Sequence, residues 1–222
     1  RPEDRIQIAA GVRAGAARLV GVGRHWSEPA KEADVFDVKA DVFATLAALG
    51  FDPNRAQITR DAPAWYHPGR SGVLRLGPKT VLAHFGEIHP RTLAELDVEG
   101  PIVGFEIFLD ALPPEKRKSR ARPAMVAPDL LPVRRDFAFV LDESVPAGDV
   151  VKAAAGADKT LITDVSVFDV FAGKSLGEGK KSVAIEVTLQ PRERTLTDAE
   201  IDAVAKKVIA EVKRVTGGEI RG

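Results

Sequence analysis

The chain has 222 residues, enough for one large or two modest domains that each bury a core. Its 45% hydrophobic and 29% charged residues are ordinary for a soluble globular protein, and its 32 basic and 32 acidic side chains cancel, so no overall field draws it to nucleic acid or membrane. The absence of cysteine excludes disulfides, iron–sulfur clusters and thiolate zinc sites, and no run of 18 apolar residues offers a helical membrane span.

The chain opens on "RPEDRIQIAAG", which lacks an initiator methionine and the charged-then-apolar layout of a signal peptide. It is expected to be a piece of something longer, working in the cytoplasm. "RIQIAAGV" reads as a strand. "VFDVKADVFATLAALGF" reads as a short strand and then a helix from near Lys39 to Gly50, with Val42, Leu46 and Leu49 as its apolar stripe. "VLRLGPKTVLAHFGEI" is two strands around Gly77-Pro78, a hairpin signal. "HPRTLAELDV" is a short helix opened by proline, and "PIVGFEIFLDAL" is a strand running into a helical turn.

The stretch "LPPEKRKSRARPAMVAPDLLP" holds prolines too dense for helix or ladder, together with Lys116, Arg117, Lys118, Arg120 and Arg122. It divides the chain into a first domain over 1–112, an extended linker over 113–131 and a second domain over 132–222. In the second, "RRDFAFVL" alternates with Phe137, Phe139 and Leu141 on one side. "PAGDVVKAAAGA" is a helix and "LITDVSVFDVFAG" a long strand. "KKSVAIEVTLQ" alternates strictly, with Val183, Ile185, Val187 and Leu189 facing one way. In "TDAEIDAVAKKVIAEVKRVTGG" Thr197 and Glu200 form a capping box, and Gly217-Gly218 stops the helix. "EIRG" is a brief last strand. The order strand, helix, strand, strand, helix, strand is the ferredoxin-like βαββαβ arrangement, with both helices on one sheet face and the other face open.

"FAGKSLGEGKKS" carries the residue types of a phosphate loop without the spacing. A GxxxxGK[ST] motif ending at Lys174 or Lys180 needs glycine where Phe168 or Lys174 stands, and GxGxxG from Gly177 meets Ser182. The glycines read as turn residues at a hairpin tip, where Lys174 and its neighbours remain able to touch an RNA backbone.

The segments "LPVRRDFAFVLDESVPAGDVV" and "VFDVFAGKSLGEGKKSVAIEVTLQPRERTLTDAEI" resemble the ferredoxin-fold anticodon-binding domain that closes the beta subunit of bacterial phenylalanyl-tRNA synthetases. "FDVKADVFATLAALG", "WYHPGRSGVLRLGPKTVLAHFGEIHP" and "GFEIFLDAL" resemble the catalytic-like module of the same subunit. The resemblance implies an α+β protein: a degenerate class II synthetase-like antiparallel module followed by the ferredoxin-like domain. It implies a ligase complex of two alpha and two beta chains with its working active site in the alpha subunit, ATP and magnesium being used by the whole complex and phenylalanine tRNA being the nucleic acid bound. No membrane, DNA, metal or cofactor of this chain's own is expected. Aligned on the class II strand-to-helix motif, Glu106 and Phe108 replace glycines that make room for adenine, and Ala111 replaces the arginine that meets the triphosphate. No catalysis is therefore expected in this chain, and the first domain is read as a scaffold.

Trp26, Trp65, Tyr66 and Arg70 are candidates for the interface with the alpha subunit, their other reading being core packing or a structural turn. The polar cluster Tyr66, His67, Arg70 and Ser71 is weak as a nucleophile–base pair, and the spacing of His25, His67, His84 and His89 does not suit a metal. The expected RNA contacts are Arg134, Arg135, Lys174, Lys180, Lys181, Arg192 and Arg194 for phosphates, with Phe171 as a stacking platform and Asp169 as an acceptor for a base. Phe168 is assigned to the core. Two rival readings remain: a ferredoxin-like regulatory domain holding a small molecule in a helix-side or dimer-edge pocket, and an interaction module without RNA binding.

Overall fold

A computed structural model describes residues 5–15, 32–114 and 127–221. Trp26, His25 and the linker's basic run lie outside these residues, as does the side chain of Lys174. The chain divides into two compact units, Arg1–Ala121 and Arg122–Gly222.

The first unit is a five-stranded antiparallel sheet with one long helix. In chain order it runs β1 (Ile8–Ala14), α1 (Val35–Ala48), β2 (Gln57–Thr59), β3 (Tyr66–Leu76), β4 (Thr80–Ile88), α2 (Pro90–Glu95) and β5 (Ile102–Phe108), in the sheet order β1-β5-β4-β3-β2. The expected hairpin is β3–β4, and β5 runs into a 3-10 turn over Leu109–Ala111 as read from sequence. The short strand expected at "VFDV" is instead the first turn of α1. Asp34 caps it by accepting from the N–H groups of Phe36 and Asp37, while Asp37 accepts from the N–H of Asp34, so both ends of a capping box are made. The buried stripe is consequently Val38, Val42 and Leu46, with Leu49 exposed at the C-cap. β2 was not anticipated, because three residues are too few to carry a periodic signal.

Residues of α1 pack on Leu74, Ala83, Phe85, Val103 and Ile107 of the sheet. One cross-strand row on this face reads Gly11, Phe105, Phe85, Gly72. Each phenylalanine ring lies over a neighbouring glycine: a Cβ at Gly11 would meet Phe105 at 2.7 Å, and one at Gly72 would meet Phe85 at 2.8 Å. The glycines thus make room for aromatic rings that hold the register. On the opposite face stand Glu106, His84 and Val73, which are cross-strand partners.

The second unit runs β6 (Val133–Asp142), α3 (Ala147–Gly156), β7 (Ile162–Phe171), β8 (Lys180–Leu189), α4 (Asp198–Thr216) and β9 (Glu219–Ile220). Its strand order, β7-β8-β6-β9 with antiparallel pairings throughout, is the ferredoxin-like order expected. The capping box between Thr197 and Glu200 forms, and Gly217 closes α4 in the left-handed region at φ 69°. Both helices pack on one face: Val150, Ala153 and Ala154 of α3 and Ile201, Val204, Val208 and Val212 of α4 share a core with Phe137, Phe139, Leu141, Val183 and Ile185. Burying each of these larger side chains contributes about 1.5–3 kcal/mol as an upper estimate. The other face has no covering element among the described residues of this unit.

Candidate nucleic-acid interface

The uncovered face of the second unit is assembled from the alternate residues of β6, β8 and β7. Register sets its rows: Arg134, Thr188, Asp164; then Asp136, Glu186, Ser166; then Ala138, Ala184, Asp169; then Val140, Ser182, Phe171; and last Asp142 beside Lys180. Its middle is a floor of small side chains, Ala138, Ala184 and Ser182, with Ser182 and Ala184 buried between taller neighbours. Phe171 rises beside this floor and is 42% exposed. Its ring lies over Gly173, where a Cβ would stand 2.5 Å from the ring edge. Gly173 therefore serves as the seat of an aromatic ring. The loop's other work is done by Gly177 and Gly179, whose φ values of 92° and 71° turn the chain back into β8.

Phe168 is not a core residue. The register slips between Val167 and Asp169, which makes Phe168 the extra residue of a bulge on an edge strand, 58% exposed. The same slip places Asp169 and Phe171 together on the open face, opposite Ala184 and Ser182.

Among the described residues the expected cations are not brought together. Arg134 and Lys180 lie on the open face, but at opposite ends of it. Arg135 and Lys181 pair with Val187 and Leu141, which assigns them to the helix-side parity. The ammonium of Lys181 donates to the Glu143 carbonyl at 2.8 Å. Arg192 donates to the Thr160 carbonyl at 3.2 Å, and Arg194 grips Glu200 through two bonds of 2.6 and 3.0 Å. That pairing holds the Glu200 carboxyl down to about 2, helped by Thr197. The face itself carries Asp136, Asp142, Asp164, Asp169 and Glu186 against Arg134 and Lys180, and Arg134 sits 3.7 Å from Glu186. Such a surface suits ligands offering N–H donors and repels phosphate. The small-residue floor was missed from sequence. Its signal was Ala138, Ser182 and Ala184 recurring on the polar parity of two alternating strands.

In the first unit, Glu106 and Phe108 share the face opposite α1, whereas Ala111 packs against the core on the α1 side. The Phe108 ring meets the His84 ring edge-on at 5.1 Å, and the Tyr66 hydroxyl stands 3.5 Å from Glu106. Aromatic rings and a carboxylate thus line this face, a combination that repels a polyphosphate, and Ala111 does not share it. Tyr66 is only 3% exposed, so it is a core residue and its ring is not open to a partner. Burial, then the Glu106 charge, pushes its hydroxyl well above the ordinary phenol range. Trp65 is 47% exposed. Arg70 is exposed but held in a two-bond pair with Glu87, at 2.5 and 2.6 Å. Ser71 donates to the His67 carbonyl at 2.7 Å, and the His67 ring accepts the Gly69 N–H at 3.1 Å, so no nucleophile–base contact exists there. Among the described residues no group of three or more histidine and carboxylate side chains is placed to hold a metal ion.

Comparison with known proteins matches residues 10–109 to the family described as phenylalanyl tRNA synthetase beta chain CLM domain, and residues 128–221 to the ferredoxin-fold anticodon binding domain. The chain is 54% identical over its whole length to a phenylalanine–tRNA ligase beta subunit of Paramagnetospirillum magneticum, covering 27% of that protein. It is likewise 54% identical to one of Bradyrhizobium diazoefficiens and 52% identical to one of Brucella abortus, covering 28% of each. The chain thus spans just over a quarter of the length of the curated relatives it matches. With both units matched in order and the identity sustained from end to end, the chain belongs to the phenylalanine–tRNA ligase beta-subunit family.

Proposed function

We propose that this chain recognises the anticodon loop of phenylalanine tRNA through the open face of its second unit, as part of a ligase complex with an alpha subunit. The first unit serves as a scaffold and performs no ATP chemistry; ATP and magnesium are handled elsewhere in the complex, in the cytoplasm. The observation that carries the reading is the pairing of an exposed aromatic ring, Phe171, with Asp169 beside a floor of Ala138, Ala184 and Ser182. An unstacked base stacks on the exposed ring above this floor and donates its edge hydrogens to the carboxylate. Docking the anticodon end remotely orients the acceptor end at another chain's active site, so that ordering entropy is spent before the chemical step.

One helix-side crevice is packed too tightly for the rival's small molecule. The crevice lined by Arg135, Phe137, Val187 and Ile201 has no room for a water molecule. The domain boundaries 1–112, 113–131 and 132–222 remain the working division for expressing the units separately. Trp65 offers an exposed ring through which the scaffold meets a partner. Residue-level footprinting of the chain bound to a phenylalanine tRNA anticodon stem-loop tests the reading. Protection of β6, β7 and β8 on the open face is expected, and protection of α3 and α4 instead would overturn it.

A further inference from the structure

The face of the first sheet opposite α1 carries a partly buried carboxylate with no cation beside it among the described residues. The Glu106 carboxylate, 32% exposed, lies 3.6 Å from His84 Nδ1 and 3.5 Å from the Tyr66 hydroxyl. Both separations exceed the roughly 2.5–2.9 Å of a charge-assisted hydrogen bond. His84 does not neutralise it. Burial lowers the basicity of the imidazole, and its Nδ1 is buried with no hydrogen-bond partner. The cation on this side of the sheet, Arg75, is engaged by Asp61 and Thr59.

Further aromatic rings stand beside the carboxylate's two neighbours, Tyr66 and His84. Trp65 stands 6.3 Å from Tyr66 and 6.5 Å from His84, and His84 stands 5.1 Å from Phe108. Ring faces carry negative charge density, the same sign as the carboxylate, so an anion gains nothing from this combination while a cation can use both. A guanidinium suits it better than an ammonium. It is planar, weakly hydrated, and able to stack on an indole while offering two parallel N–H donors to a carboxylate.

We propose that this face binds an arginine side chain of a partner polypeptide, with Glu106 as the anion and Trp65 and Phe108 as the aromatic walls. The site stands on the first unit alone and does not depend on RNA binding by the second. It is opposite in charge preference to a nucleotide pocket.

The test uses the 222-residue chain labelled with 5-fluorotryptophan, its Trp65 signal assigned by comparison with Trp65→Phe. The probe is N-acetyl-arginine amide, with the neutral isostere N-acetyl-citrulline amide as its control. The arginine probe is expected to shift the Trp65 signal saturably, with a dissociation constant in the millimolar range suited to one isolated side chain. The citrulline probe is expected to leave the signal in place. Glu106→Gln, which keeps the shape and removes the charge, should weaken binding by about ten-fold, equivalent to ~1.4 kcal/mol. Phe108→Leu is the second variant, keeping bulk while removing one wall, and should weaken binding several-fold. No saturable shift, an equal response to citrulline, or unchanged affinity in both folded variants would overturn the proposal.

Discussion

Replacing Gly173 with alanine tests the proposed contribution of the Phe171 ring to RNA binding. The new Cβ would stand 2.5 Å from the ring's Cζ and 2.8 Å from its Cε1. Carbon contacts settle at about 3.5–4.0 Å, so the ring must move by roughly an ångström or more. The ring is the free end of a side chain that is 42% exposed, so it swings away and the backbone stays in place. Folding stability should therefore change by no more than about 0.5 kcal/mol, as for other surface substitutions. Base–aromatic stacking is worth about 1–3 kcal/mol, so Phe171→Ala should weaken binding of the anticodon stem-loop roughly 5- to 150-fold. Gly173→Ala should produce part of that loss. In the Phe171→Ala background, Gly173→Ala should add nothing, because both act through one ring. Fluorescence anisotropy with a labelled stem-loop at fixed salt reads all four affinities, and thermal melts confirm folding. Unchanged binding by Phe171→Ala would refute the stacking argument. An equal effect of Gly173→Ala with and without Phe171 would refute the seat.

Three further outcomes follow from the same geometry. Removing Arg134 and Lys180 together should flatten the salt dependence of RNA binding by about 1.4 in log–log slope, at about 0.7 per single-strand phosphate contact, whereas Arg194→Ala should leave the slope unchanged because Glu200 already holds that guanidinium. Thr197→Ala should cost the second unit about 0.5–2 kcal/mol in urea unfolding by opening the cap of α4. Glu200, with its folded value depressed from 4.5 to about 2, contributes stability that is fully present above pH 4.5 and lost as pH falls toward 2, so acid unfolding curves of Glu200→Gln should be flatter across that window.

Much of this protein is legible along the chain. The strict alternation of "KKSVAIEVTLQ", the capping box of Thr197 and Glu200 and the stop at Gly217 are local signals, and each forms as read. The strand-and-helix order of the second unit then leaves few topologies to choose from, and the ferredoxin-like order is the one formed. Where two local signals competed, as at "VFDV", the cap at Asp34 prevailed over the β-branched pattern, since capping hydrogen bonds satisfy donors that a strand ending there would leave open.

Contacts between residues distant in sequence were decided by tertiary structure. A single-residue bulge put Phe168 outside the core, and no periodicity reports a slip that depends on the partner strand. Basic residues close in sequence were divided between the two sheet faces, because side chains alternate along a strand, or were taken by carbonyls and carboxylates of other turns. Glu106, Tyr66, His84 and Trp65 lie up to 41 positions apart and meet through cross-strand register and side-chain packing. Local sequence states the intrinsic preference of each segment. Which side chains share a face is set by long-range pairing, and with it the charge and shape that a ligand meets.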